Sequence, residues 1–176
     1  EFHEWPEHKA DEERFEYAQL PVLEKDGKFY SQAGAILRFL AREHGFYPED
    51  PEQAYFVENL TEAITDFNTG LFKLKDLKGD ERTQAFESFV KSTVIPCFTT
   101  WQKRIEGNTT QEFFIGDSWT LADVRLVSLY ANTLSREPAK EYFSKILEDF
   151  PTLKAYMEAR FASLKEYFEN RPECMF

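Results

Sequence analysis

Along residues 19–30 two short apolar runs, Gln19-Leu20-Pro21-Val22-Leu23-Glu24 and Lys28-Phe29-Tyr30, flank Lys25-Asp26-Gly27. Asp-Gly in that setting predicts a tight hairpin turn, because both residues tolerate positive φ, and two antiparallel strands are expected. Pro21 suits the start of a strand, where no ladder N–H is required. From Gln32 the period lengthens. Ile36, Leu37, Phe39 and Leu40 fall on one side of a helix that stops at His44-Gly45, where glycine can take a left-handed cap.

Phe46-Tyr47-Pro48-Glu49-Asp50 has neither period and reads as a linker. Asp50 followed by Pro51 is a helix start, with Asp as N-cap and proline where its missing N–H costs nothing. Everything beyond is helical in pattern, and the spacing predicts helices at about 51–74, 80–106, 120–134, 138–149 and 151–169. Pro96 falls inside the second of these and should kink it. The expected organisation is an N-terminal domain over 1–45, a linker at 46–50 and an all-helical domain over 51–176, an α+β chain that is mostly helical.

One local motif stands out in the helical part, Gly116-Asp117-Ser118-Trp119-Thr120-Leu121-Ala122-Asp123. Thr120 followed three residues later by Asp123 is a capping box, each side chain satisfying the other's free backbone donor, and its role is in folding. The helix it opens carries Val124, Leu126, Val127, Leu129, Tyr130 and Leu134, apolar nearly all round, as expected of a central buried helix.

Charge narrows the partners. The 176 residues carry 21 Lys plus Arg against 32 Asp plus Glu, a net charge of -11, so phosphate backbones and anionic membrane surfaces are repelled. No nucleic-acid partner and no membrane insertion are expected, since charged residues interrupt every apolar stretch well short of a span. The two cysteines, Cys97 and Cys174, make no disulfide framework, and a reducing cytoplasmic setting is expected, with an organelle left open. His3, His8 and His44 lack metal-ligand spacing, and no metal is expected. The chain opens on Glu1 rather than Met and without a leader, so the native start is not visible and a processed, truncated or only partly represented chain is expected.

Leu20-Pro21-Val22-Leu23 with Asp26-Gly27, then Ser31-Gln32-Ala33 and the helix Ala35-Ile36-Leu37-Arg38-Phe39-Leu40-Ala41-Arg42, resembles the thioredoxin-like half of cytosolic glutathione transferases. The Gly116 to Asp123 segment resembles the start of the core helix in their helical half. Trp5-Pro6 and Lys9, ahead of Gln19-Leu20-Pro21, look most like the sigma class and its alpha, mu and pi relatives. The resemblance implies a partial thioredoxin-like domain, without its first strand and helix in this sequence, followed by the all-helical domain.

It also implies a site for glutathione, as substrate or ligand. Trp5 matches the indole that reaches the glycyl end, and Lys9 the cation that pairs with the glycyl carboxylate, although an ordinary core aromatic is the plainer reading of Trp5. Pro21 matches a cis-proline whose preceding residue, Leu20, presents backbone groups to the cysteinyl unit. Gln32 and Ala33 match the pair that holds the γ-glutamyl carboxylate at a helix N-terminus, where free N–H groups favour an anion. Ala33 stands where the family usually has Ser, a lost hydroxyl worth about 1–2 kcal/mol. Asp66 matches an acid that reaches the γ-glutamyl amine across a dimer interface, against the alternative of a solvated helix acid. The acidic segment Ala10 to Ala18 departs from the family by its length and charge.

No catalytic residue is visible in the chain. The activating tyrosine is expected upstream of Glu1, and neither Tyr17 nor Tyr30 is promoted to that role. Three readings follow: a transferase conjugating the glutathione thiol to an electrophile, a catalytically inactive structural subunit of a larger assembly, or a glutathione-dependent ligand-binding protein. A homodimer is the usual family form.

Overall fold

The computed structural model describes residues 5–172, so His3 and Cys174 lie outside the described residues. The chain divides into two compact units, Glu1–Tyr47 and Pro48–Phe176.

The first unit contains a short helix α1 (Trp5–His8), strands β1 (Val22–Lys25) and β2 (Lys28–Ser31), and helix α2 (Ala33–Glu43). The strands pair antiparallel with Val22 opposite Ser31 and Lys25 opposite Lys28. Asp26 and Gly27 form the turn at φ 52° and 71°, the doubly left-handed geometry that favours this dipeptide. Helix α2 ends where Gly45 takes φ 78° and the Phe46 N–H donates to the Ala41 carbonyl at 2.7 Å, a six-residue closure that satisfies an orphan carbonyl. It buries Ile36 and Ala41. The acidic segment before β1 is folded against this unit by rings: Trp5 meets Phe15 edge-on at 4.9 Å, and the Arg14 guanidinium lies 5.7 Å from Phe15 and 5.5 Å from Phe29.

The second unit is helical. Helix α3 (Pro51–Lys73) is capped by Asp50, whose carboxylate accepts the Gln53 N–H at 2.8 Å. Helices α4 (Gly79–Phe89) and α5 (Ile95–Gly107) stand in place of the single helix expected over 80–106, because a π-helical stretch, Val90–Val94, joins them. The proline removes a donor and crowds the preceding turn, and a wider turn just before Pro96, with the Ile95 N–H reaching the Val90 carbonyl, accommodates it. Helix α6 (Leu121–Leu129) runs into a second π stretch, Tyr130–Leu134, followed by α7 (Ala139–Leu147).

The helix expected over 151–169 is two helices, α8 (Pro151–Ser163) and α9 (Lys165–Asn170), parted at Leu164. The bend lets Phe168 return onto Phe161, 4.7 Å between centroids, with Tyr130 on that ring's other contact at 5.6 Å. Val124 corrects the picture of an all-round buried α6, because it is 38% exposed while Leu121, Ala122, Asp123, Leu126, Val127 and Leu129 are buried.

The core centres on Phe67 of α3, fully buried, with Phe89, Phe98, Trp101 and Phe143 at 5.3–6.2 Å. Offset and edge-on arrangements such as these add to the area each ring removes from water. Among the described residues no helix is long and apolar enough to cross a membrane.

Candidate functional site

In the first unit the chain enters β1 through a cis peptide between Leu20 and Pro21. This bend and the junction of β2 with α2 form a small pocket of about 110 Å³, lined by Tyr17, Gln19, Leu20, Pro21, Ser31, Gln32 and Ala33. Four of the residues marked out by sequence, Leu20, Pro21, Gln32 and Ala33, thus share one concavity. Tyr17, Gln19 and Ser31 join them. Gln19 stands beside the Leu20-Pro21 pair and Ser31 opens the Ser31-Gln32-Ala33 motif, but no local signal marks Tyr17 as part of a site.

Gln32 is the N-cap of α2 and sits at φ 71° and ψ 108°, a left-handed backbone that a non-glycine residue adopts at a cost on the order of 1 kcal/mol or more. Its carbonyl already accepts the first helical bond from Ile36 at 2.9 Å, and its side chain makes no capping bond. The first turn of α2 holds no acidic residue. The N-terminal end of an eleven-residue helix therefore opens at the pocket with its partial positive charge uncompensated from within the turn.

Trp5 and Lys9 are not part of that lining. Trp5 is half-buried against Phe15, and Lys9 is exposed, its N–H donating to the Trp5 carbonyl at 2.9 Å. Asp66 lies on α3, in the other unit, and is exposed. Its charge acts on Cys97: burial first, and then Asp66, push that thiol up to about 11. A thiol so placed is a poor nucleophile at neutral pH. His8 and His44 are exposed, and among the described residues no group of His, Cys, Asp and Glu is placed to hold a metal.

Thr120 and Asp123 form the capping box at the start of α6. Asp123 is fully buried and does more than cap. One carboxylate oxygen accepts the Thr120 N–H and hydroxyl, each at 2.7 Å; the other accepts the Phe114 N–H at 2.7 Å and the Tyr156 hydroxyl. Burial, then the Asp123 charge, push the Tyr156 phenol well above its ordinary range. The acid thus ties the connection before α6 and the middle of α8 to one point. These contacts are structural in kind, being closed off from water.

The comparisons with known proteins agree with one another. Residues 64–171, more than half of the chain, match the family model for the glutathione S-transferase C-terminal domain. The chain is 28% identical over 165 residues to a protein named probable glutathione S-transferase 8 of Caenorhabditis elegans, covering 91% of this chain and 77% of that one. It is also 28% identical over 148 residues to glutathione S-transferase alpha I of Oryctolagus cuniculus, covering 84% and 63%. Among solved structures, monomeric Na-GST-3 of the hookworm Necator americanus superposes with a TM-score of 0.77 at 29% identity, over 99% of this chain and 83% of that one. A Nu-class enzyme of Haemonchus contortus gives 0.78 at 28%, over 99% and 82%. The partial thioredoxin-like hairpin and helix, the all-helical unit and these matches lead to one conclusion: the chain belongs to the glutathione S-transferase family.

Proposed function

We infer that the chain binds glutathione and that the pocket at the start of α2 receives it. The observation that carries this reading is the convergence of the Leu20-Pro21 bend with Gln32 and Ala33 in one concavity at a helix N-terminus. A γ-glutamyl carboxylate suits the uncompensated first turn, and the backbone of Leu20 suits strand-like pairing with the cysteinyl unit. Lys9 is assigned to the glycyl carboxylate and Trp5, through its indole N–H, to the same glycyl end. Asp66 is assigned to the γ-glutamyl amine of a site completed in a homodimer. Where the intact protein carries the first strand with its tyrosine, the bound thiol is conjugated to an electrophile.

A second reading, a subunit that retains the fold without turnover, draws on Ala33, which brings a methyl where a hydroxyl would strengthen the grip on the carboxylate. Calorimetric titration with glutathione tests both. Saturable binding is expected, weakened about tenfold by Lys9→Ala and by Gln32→Ala. Binding together with turnover of an aryl halide by the intact protein supports the transferase, and binding without turnover supports the second reading. No heat from the intact protein overturns the glutathione assignment altogether.

A further inference from the structure

A second cavity of about 470 Å³ lies wholly within the helical unit, where the C-terminal part of α5, the connection that follows it and α8 meet. Its lining is apolar at Ile105, Pro151, Ala155 and Ala159, and it carries two opposite charges, Glu112 and Arg160. Among the described residues neither charge forms an ion pair, with the other or with a third group.

Arg160 is held by rings instead. Its guanidinium lies 5.2 Å from the Phe113 ring and 5.6 Å from that of Trp119, two rings that meet edge-on, and its Nε is buried without a hydrogen-bond partner. A guanidinium oriented against aromatic faces is already partly desolvated, so an incoming carboxylate displaces little water from it.

The surroundings are braced. The Gln102 side-chain oxygen accepts the Thr152 and Leu153 N–H groups at 3.2 and 3.4 Å, and Glu106 accepts the Thr152 hydroxyl at 3.0 Å, so α5 supplies the cap that α8 lacks of its own. On the connection, the Asn108 amide donates to the carbonyls of Phe113 and Gly116 at 2.6 and 2.9 Å. An open, mostly apolar hollow of this volume, with an arginine held by rings and an opposite charge in its lining, has the features of a small-molecule site.

The geometry points to a binding site for a short apolar zwitterion, a free amino acid or a dipeptide, whose carboxylate meets Arg160 and whose ammonium meets Glu112 while its side chain covers the exposed Pro151, Ala155 and Ala159. A ligand of one charge is opposed by one of the two residues. A neutral ligand would cover both charges and leave them unpaired, at a desolvation cost. The lining shares no residue with the pocket at α2, so this site stands independently of the glutathione reading.

Ligand-detected NMR and calorimetry on the full chain test the assignment with L-phenylalanine and L-leucyl-L-leucine as probes. Two monopolar analogues serve as controls: 3-phenylpropanoate, which has no ammonium, and 2-phenylethylamine, which has no carboxylate. At least one zwitterion is expected to saturate with a Kd below about 1 mM, and each monopolar probe to bind about tenfold or more weakly than phenylalanine or the dipeptide. The stronger of the two zwitterions identifies the source. Glu112→Gln, at an exposed side chain, should weaken the zwitterion about fivefold or more while sparing 3-phenylpropanoate; Arg160→Gln should weaken both. If Arg160→Gln does not fold, Glu112→Gln carries the test alone. The assignment is overturned if neither zwitterion binds at about 10 mM, if the monopolar probes bind equally well, or if Glu112→Gln changes nothing.

Discussion

In Glu1–Tyr47 the buried apolar residues among those described are Ile36 and Ala41, while the helical unit is built around fully buried Phe67, Phe98, Phe114 and Phe143 with Leu60, Ile64, Ile105 and Leu126. The first unit instead relies on local devices: a left-handed turn, a six-residue helix closure, ring contacts along the acidic segment, and the Lys25–Glu43 pair. Its strained Gln32 and its pocket lie in this thinly packed part. The two units differ in how they are held. The described helical unit is held by packed rings, and the described part of the first unit by local hydrogen bonds and ring contacts.

The sharpest way to break that contrast is at Asp123. Asp123→Ala removes the acceptor of four hydrogen bonds at a fully buried position and strands the Phe114 and Thr120 N–H groups and the Tyr156 hydroxyl. A loss of about 4 kcal/mol is expected, read as a fall in denaturation midpoint, against about 1–2 kcal/mol for Tyr156→Phe, which removes one donor only. A loss under about 1 kcal/mol for Asp123→Ala would show that the helical unit does not depend on this point.

Cys97 gives a second measure of packing, from reactivity. With its thiol pushed up to about 11 by burial and Asp66, alkylation by iodoacetamide near pH 8 should run about 100-fold slower than for a thiol at the ordinary value of 9.0. The rate should keep climbing toward pH 11. The folded unit holds this proton more tightly than the unfolded chain, so the contribution to stability is complete below about pH 9.0 and is lost as pH rises through about 11. Reaction at the rate of an unhindered thiol would mean that α5 opens locally.

Ile36→Ala probes the thin side. Removing this side chain from the first unit should cost about 2 kcal/mol, at the low end for such changes because few neighbours are left around a void. The loss should appear as protease cleavage within residues 1–47 while the helical unit stays intact. Cleavage that spreads evenly along the chain would show that the two units unfold together.

Much of this architecture is legible from local chemistry, and where it is not, the missing information is tertiary. Asp26-Gly27 announces its turn because few dipeptides accept two positive φ angles, and Thr120 with Asp123 announces a helix start because the partners are three residues apart. The same Asp123 is bonded to Phe114 and Tyr156, nine and 33 residues away, and no spacing rule reaches that far. Pro96 predicts a kink, but whether the chain answers with a bend or a widened turn depends on what surrounds it. Leu164 carries no breaker at all; α8 and α9 part there to seat Phe168 on Phe161. In the candidate site, Leu20-Pro21 and Ser31-Gln32-Ala33 are marked by sequence, while Tyr17 enters only because the chain before β1 and the start of α2 close one space.

The smallest effect belongs to the Lys25–Glu43 pair, which ties β1 to α2. The mutual attraction raises the Lys25 ammonium and lowers the Glu43 carboxylate from their ordinary values, chiefly through their hydrogen bond. Both groups remain in contact with water, which screens the attraction and is regained by each charge when the pair opens. Lys25→Met should therefore leave the melting temperature within about 2 °C of the parent, in low salt and high alike. The methionine also keeps apolar contact with the Phe39 ring, over which the Lys25 ammonium now lies at 5.5 Å. A larger, salt-dependent fall would assign the first unit's stability to charge rather than to its turn, its helix closure and its rings, and the contrast with the helical unit would then be one of electrostatics against packing.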